Sequence, residues 1–456
     1  MSKVRPFSPS TASIALLLLG LAGCAGTPIA PEKAARRQVE AVATALMPLN
    51  TTPSLPELGP ASAPEDYVRF ALLKHPAVRA AYFDWRAKVE AIAPARSLPD
   101  PRLTFEADIA DAVMTLMPGL MFDFMGPGKL SSMGREAAAD SQVAYRRYVG
   151  ALLSTAARVR DAWIELAYVD EALRLREGSR VAIEQSAALD ASNYATGSGM
   201  ASLEAQVLFQ NQTAELQSVI AALEDRRAAA RTRFKASLGL MPDEPDPAWP
   251  SPTLRATPIP SENALWSAID VRNPELASMR AMVDMAVAGV EVAQKTGRPD
   301  FALGAMADVK ANPLMIRPQA SLSLPIWRDK IAATIAGAEA RRDAARARVD
   351  AERLTMAAEL AQMLYMVRES DRMIAYLERT ALPNLERSIA SAEAAYQSGM
   401  SGAGMIPQTQ LMALGMKLER AEALRARETA MTALLLMSAD VLPSGTGLLA
   451  SAEPAR

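Results

Sequence analysis

Few residues in this chain could make or break bonds. It has one histidine, His75, and one cysteine, Cys24. A zinc site needs several Cys or His ligands, and a Cys–His nucleophile needs both partners within reach, so neither can be assembled from one of each. His75 precedes Pro76 at a junction between two helix-forming stretches, where a structural role is expected. No glycine loop with phosphate-binding spacing sits between a strand and a helix. The 51 acidic and 49 basic residues leave a net charge of −2. They lie on amphipathic stretches as solvated charge, and nothing calls for a nucleic-acid partner. Methionine is the remaining donor type. There are 24, with Met114, Met117, Met121, Met125 and Met133 gathered in one short stretch. Thioether sulfur suits Cu(I) or Ag(I). Methionine also replaces leucine as an adaptable apolar residue, and the sequence favours that second reading. Neither an enzyme nor a resident metal or cofactor is expected.

Cys24 has chemistry of another kind. Lys3 and Arg5 precede an apolar run, Ile14 to Leu19, and then Leu21-Ala22-Gly23-Cys24. That order is a signal peptide over residues 1–23, removed on export; its apolar run is too short to span a bilayer. Leu-Ala-Gly-Cys resembles a bacterial lipobox, which implies an acylated Cys24 as the mature N-terminus. Ala25, following it, implies sorting to the outer membrane. Each buried methylene of an acyl chain contributes about 0.8 kcal/mol, so more than one chain is needed for a stable anchor.

The elements behind these residues come in two copies. Ala71-Leu72-Leu73-Lys74-His75-Pro76 is answered by Ile269-Asp270-Val271-Arg272-Asn273-Pro274, with the prolines 198 positions apart. Pro101 and Pro299 keep the same interval. Further on, Tyr194-Ala195-Thr196-Gly197 is answered by Tyr396-Gln397-Ser398-Gly399. Here the interval is 202, and a near-constant offset with a small insertion marks duplication. Helices are expected at about 65–74 and 77–96, and again at about 262–272 and 275–296, with Ser62-Ala63-Pro64-Glu65 supplying a capping-box spacing. Between Pro127 and Pro242 no proline occurs, and Tyr145, Val149, Leu152, Ala156, Val159, Trp163 and Leu166 repeat by four and three, which is a coiled-coil seam. This predicts a helix over about 131–190 and a return of about 40 residues after Tyr194–Met200. The second copy has its seam at Met356, Leu360, Met363 and Val367, over about 329–397, with a return over about 408–440. Pro383 should kink the outgoing helix. Residues 25–63, broken by Pro48, Pro53, Pro56 and Pro60, read as an extended arm without a regular element.

Between the helices the period changes to two. Leu103, Phe105, Ala107 and Ile109 alternate with Thr104, Glu106 and Asp108; Leu120, Phe122 and Phe124 alternate with Met121, Asp123 and Met125. The second copy sets Phe301, Leu303, Ala305, Ala307 and Val309 against Ala302, Gly304, Met306 and Asp308, and Ala320, Leu322, Leu324 and Ile326 against Ser321 and Ser323. Strands of about nine residues suit a tilted bilayer crossing; a soluble hairpin with one buried face fits the alternation equally. Four strands cannot close a barrel around a channel, which takes about eight, so spanning strands require several chains. After the signal no apolar run approaches the ~18 residues of a membrane helix.

Taken together and in order, the duplicated Ala-Leu-x-x-His/Asn-Pro element, the proline-flanked hairpins, Pro325-Ile326-Trp327-Arg328-Asp329-Lys330 and the Tyr-x-x-Gly turns resemble the TolC family of outer-membrane efflux proteins over about 65–440. The fold class expected is mainly α with a small β part, a duplicated repeat of long antiparallel coiled-coil helices and two β-hairpins. The resemblance implies a homotrimer, with a 12-strand β-barrel in the bacterial outer membrane and a 12-helix α-barrel crossing the periplasm. It also implies a periplasmic adaptor protein and an inner-membrane pump as partners, and an efflux duct as the function. A pore-less coiled-coil spacer lipoprotein is the alternative. The expected divisions are signal 1–23, acylated arm 24–63, first repeat 64–250 (hairpin about 101–125), second repeat 251–442 (hairpin about 299–327) and tail 443–456. Tyr194, Gly197, Gly199, Tyr396, Gly399 and Gly402 are the expected adaptor-docking turns. Family members that close the periplasmic mouth with aspartate rings do so at the positions of Met405 and Gln408. Neither is acidic here, which argues against a carboxylate gate, and Pro407 suggests an altered helix start.

Overall fold

Proline opens three of the helices, at Pro64, Pro76 and Pro274, where its missing N–H costs nothing and its fixed φ suits the first turn. A computed structural model describes residues 28–46, 55–110, 113–195, 203–308, 313–398, 405–443 and 448–449; the side chains of 107–116, 193, 203, 205, 396 and 405 lie outside that description. The first repeat runs α2 (Pro64–Lys74), α3 (Pro76–Glu90), α4 (Ile92–Arg96), β1 (Arg102–Ala110), β2 (Val113–Phe124), α5 (Lys129–Ala195) and α6 (Leu203–Ser237), preceded by α1 (Ala30–Leu46). The second runs α7 (Glu262–Arg272), α8 (Pro274–Lys295), β3 (Phe301–Asp308), β4 (Met315–Leu322), α9 (Arg328–Tyr376), a π-helical turn (Leu377–Ala381), α10 (Leu382–Gln397) and α11 (Met405–Met437). At 1.5 Å per residue, the 67 residues of α5 extend about 100 Å.

The duplication is carried by matching caps. His75 Nδ1 accepts from the Ala77 N–H at 3.1 Å, and Asn273 Oδ1 accepts from Glu275 and Leu276, each at 3.0 Å. At the far end of each repeat, α6 and α11 close with the same double hydrogen bond. Leu240 N–H reaches Lys235 and Gly239 N–H reaches Ala236; Asp440 N–H reaches Leu435 and Ala439 N–H reaches Leu436. That motif needs a left-handed residue. The first repeat supplies Gly239 at φ 77°, the second Ala439 at φ 61°.

The predicted seam is where the core lies. Tyr145, Leu152, Ala156, Val159 and Leu166 are buried, as are Met356, Leu360 and Val367. Around α5 pack α3, α6, α8 and α11. A dense aromatic cluster holds α3 to α5: Trp85 stacks on Tyr148 at 5.6 Å, and Tyr82 meets both edge-on. Tyr67 packs against Trp163 and Phe234, and its hydroxyl lies 2.9 Å from the Gly59 carbonyl and 2.8 Å from that of Ala248. It thereby joins the arm before α2 to the linker between the repeats.

Four expectations need correction. Residues 25–63 contain a helix, α1, because Pro31 sits at its start and the alanine-rich stretch to Leu46 has no further proline. The cap of α2 falls on Ala63, not Ser62: Asp66 accepts from the Ala63 N–H at 3.2 Å, and Ser62 accepts from Gly59 instead. The last strand ends at Leu322, so Leu324 and Ile326 lie beyond it, on the approach to Pro325 and α9. Pro407 does not displace the helix start, since α11 begins at Met405 and Pro407 falls in the first turn. Just before Pro383 the helix widens into a π turn: the Leu382 N–H bonds to Leu377, five residues back.

Candidate functional site: the sheet and the helix ends

The two hairpins form one sheet. Its order is β1-β2-β3-β4, antiparallel throughout, with β2 pairing directly to β3 across the repeat boundary. The register sorts the residues. Leu103 faces Leu120, Leu120 faces Ala305, Phe122 faces Leu303, Phe124 faces Phe301, and Phe301 faces Leu322. Because side chains alternate, all of these share one face. That face is apolar and uncovered within the chain: Leu103 is 64% exposed, Phe105 60% and Leu322 58%. Phe124 and Phe301 stack at 5.1 Å, and Trp327 stands exposed just past the sheet.

The opposite face carries Arg102, Thr104, Glu106, Asp123, Asp308, Arg317, Gln319 and Ser321, interleaved with Met and Gly. Its charges pair across strands, Arg102 with Asp123 at 2.7 Å and Arg317 with Asp308 at 3.1 Å. An apolar face left bare and a polar face with cross-strand ion pairs is the reverse of a soluble sheet, whose apolar face is the covered one.

Where sheet meets helix, both repeats are tied together. Lys129 Nζ bonds Asp300 at 2.8 and 2.9 Å, the Gly126 N–H donates to Asp300 at 2.6 Å, and Arg298 donates to the Pro127 carbonyl. A Cβ on Gly126 would come within 2.7 Å of the Pro299 carbonyl, so only glycine fits that approach. Nearby, the fully buried Glu32 of α1 binds Arg96 of α4 at 2.5 Å and Arg36 at 3.2 Å. Hydrogen bonding from Arg96 holds the Glu32 carboxyl below its usual range, against the opposing effect of burial. This pair clamps α1 beside the sheet base, with Ile29 against Gly134.

A second buried charge network pins the linker. Arg427 donates to Asp371 at 2.6 Å, to Glu428 at 2.5 Å and to the Thr257 carbonyl at 2.8 Å, while Glu428 accepts from the Thr257 N–H and hydroxyl at 3.0 and 2.6 Å. Sequence reasoning passed over these residues, since adjacent Arg and Glu in a helix look like solvated charge. It also missed the β2–β3 pairing, and it had Trp327 only as part of a motif, not as an exposed ring. His75, at the mouth of α3, has its imidazole held below its ordinary pKa, first by burial and then by Arg158.

At the opposite ends of the helices the sequence-derived positions are only partly described. Tyr194 is exposed in the last turn of α5, and Gln408 is exposed in the first turn of α11. Tyr396 lies in the last turn of α10 and Met405 opens α11, their side chains outside the described set. Gly197, Gly199, Gly399, Gly402 and Cys24 lie outside the described residues. Close by, Val207, Leu208 and Met412 are exposed apolar residues that the sequence did not single out. Among the described residues no helix is long and apolar enough to cross a membrane, and no group of His, Cys, Asp and Glu could hold a metal ion.

This arrangement of long helices on a small sheet is shared with solved outer-membrane proteins. The structure of CusC, solved in a study of transmembrane channel formation, matches over 85% of this chain and 98% of its own, at TM-score 0.68 and 15% identity. VceC from Vibrio cholerae matches over 82% and 95%, at 0.66 and 16%. The open MtrE channel of Neisseria gonorrhoeae matches over 84% and 89%, at 0.68 and 15%. Among curated proteins none matches by sequence. Residues 265–439 match the family described as outer membrane efflux protein. By sequence, the greater part of the second repeat matches the outer membrane efflux protein family, and over both repeats the chain shares its fold with these solved structures.

Proposed function

We propose that three copies of this chain form a lipid-anchored exit duct in the bacterial outer membrane, passing small solutes received from a periplasmic adaptor and an inner-membrane pump. The bare apolar face of the sheet carries this reading. Four strands with two free edges cannot enclose a channel, whereas three such sheets supply twelve. Lipid then covers Leu103, Phe105, Leu120, Phe122, Leu303 and Leu322, and the polar face lines water. Exposed Trp327 sits where an aromatic belt meets the headgroups. The duplication supports the same assembly. Within the chain α8 packs between α5 and α9. Its counterpart α3 packs on α5 and turns half-exposed Phe83 outward, the seat that α9 of the next copy would take.

The anchor reading is compatible with the fold. Cys24 is five residues from Ile29, and five extended residues reach about 17 Å. Ile29 lies against Gly134, near the sheet end of α5. The acyl group and the strands thus enter the same membrane region. Cys24→Ala should abolish labelling with radioactive acyl precursors while leaving the trimer able to form. Persistent labelling would refute the anchor.

Purified protein reconstituted in planar bilayers tests the duct directly. Discrete single-channel currents are expected. A protein that inserts yet conducts no ions would leave the pore-less spacer as the function.

A further inference from the structure

Methionine is not distributed over the sheet as a substitute for leucine would be. Across 102–106, 117–124, 301–308 and 315–322, the bare face carries Leu, Phe, Ile, Ala and Pro, and no methionine. On the polar face, every apolar side chain larger than alanine is methionine: Met117, Met121, Met306 and Met315. If Met served only as an adaptable apolar filler, the lipid-type face would be its natural place. By register Met114, opposite Ile109, falls on the bare face and Val113, opposite Ala110, on the polar one, so four of the five strand methionines share the polar face, the reverse of what filler would do.

Geometry draws three of them together. Met306 is opposite Gly119, and Met121 is opposite Gly304, so both glycines open space between the thioethers. Met306 lies across Gly119: its Cγ is 2.4 Å from where a Cβ on that glycine would be. Met117 and Met121 flank Gly119 on the same face, two residues to either side. Diagonal neighbours of this kind are within reach of long side chains. Met117 is 3% exposed and Met306 4%, although the face itself is otherwise open. Met121 is half-buried, with the Arg102 guanidinium 3.9 Å from its sulfur.

We propose that Met117 and Met306, with Met121 as a third donor, bind a soft monovalent cation, Cu(I) or Ag(I), on the polar face of the sheet. Neutral thioethers favour these ions. Hard divalent cations require several oxygen ligands; of the carboxylates on this face Asp123 and Asp308 are paired with Arg102 and Arg317, which leaves Glu106, opposite Met117, as a single oxygen donor. Arg102 is held by Asp123, which limits its repulsion of an ion at Met121. All three donors belong to one chain, so the site stands whether or not the chain conducts as a trimer.

The test uses the full-length protein in detergent. Cu(I), kept reduced with ascorbate without oxygen, is partitioned between the protein and bathocuproine disulfonate, and Ag(I) binding is followed by calorimetry. One ion per chain is expected, with a sulfur-only first shell by X-ray absorption. Met117→Leu combined with Met306→Leu preserves side-chain volume and should abolish that binding. Met356→Leu, in the core between α7, α9 and α11, should leave it unchanged. Undiminished binding in the double variant would place the ion elsewhere, on Cys24 for example, and overturn the proposal. So would nitrogen or oxygen neighbours in the absorption spectrum of the unaltered protein, a measurement that stands even if the double variant folds poorly. Absence of single-channel current would count against the duct and leave this site untouched.

Discussion

Gly239 and Ala439 occupy the same place in the two repeats, so exchanging them is an internally controlled experiment. Both sit in the left-handed region, at φ 77° and 61°. An L side chain there brings its Cβ against the following carbonyl and costs about 1–2 kcal/mol. For Gly239→Ala a second cost follows, because the new Cβ would stand 2.6 Å from His75 Cα and 3.0 Å from His75 N. Backbone cannot yield as a flexible side chain can, and overpacking of this kind adds about 1–3 kcal/mol. A total near 3 kcal/mol is on the order of 100-fold in local opening. For Ala439→Gly the sign reverses. Relief of about 1–2 kcal/mol is offset by about 0.4–1 kcal/mol from the freer unfolded glycine. The net gain of about 0.5–1 kcal/mol slows opening roughly three-fold. Hydrogen exchange by mass spectrometry on peptides covering 232–242 and 432–442 reads each cap without requiring reversible unfolding of the whole protein. Equal responses at the two sites, or a silent Gly239→Ala, would refute the assignment of strain to these residues.

The same pairing of repeats makes His75 a pH reporter. Its folded pKa is depressed, so its contribution is present above about pH 6.5 and is lost as pH falls from there toward the folded value. Protonated Nδ1 cannot accept from Ala77, whereas His75→Asn copies the Asn273 cap and should hold exchange at the start of α3 constant between pH 7.5 and 5; His75→Ala should lose about 1 kcal/mol at pH 7.5. Arg427→Met leaves Glu428 without its cation in a buried setting and half-exposed Asp371 without its partner, and should lower stability by about 3–5 kcal/mol. Proteolysis of the 251–261 linker would register it. Leu322→Arg should cost about 2–4 kcal/mol in membrane insertion while Ser321→Arg is tolerated; equal tolerance in a folding assay would mean the apolar face does not meet lipid. With Met405 and Gln408 in place of carboxylates, conductance should resist block by multivalent cations, and Met405→Asp with Gln408→Asp should introduce it. Strong block of the unaltered channel would show that other acids line the mouth.

Where one periodicity held over a long stretch, the sequence was a reliable guide. The seams from Tyr145 to Leu166 and from Met356 to Val367 are buried as their spacing requires, and both hairpins fall where alternation placed them. What periodicity cannot convey is which strand edge meets which. The β2–β3 pairing joins residues nearly 180 positions apart, and no local signal encodes it. Nor could the sequence tell a solvated Arg427 from a buried one, because burial there depends on Thr257 arriving from the linker. The short helix α1 was hidden by the prolines on its C-terminal side, although alanine content alone favoured it. The methionines illustrate a different limit. Counted along the chain they look like filler, and only the cross-strand register shows that Met117, Met121, Met306 and Met315 share a face.

The π-helical turn between α9 and α10 has a bearing on how this rod can vary in length. An extra residue inside a regular helix would rotate everything beyond it by about 100°, turning the buried stripe outward. Here the buried stripe runs through Leu377 and Ala381 of the turn and continues in half-buried Leu382, Leu385, Ile389 and Ala392. The widened turn spans five residues and absorbs the surplus one within itself. Pro383, which could not donate to a regular turn, fixes where that happens. The second repeat therefore contains an expansion joint that the unbroken α5 lacks. Single-residue insertions or deletions should be tolerated at 377–383 and disruptive at equivalent depths of α5, so a change in the reach of one helix need not disturb the packing on either side.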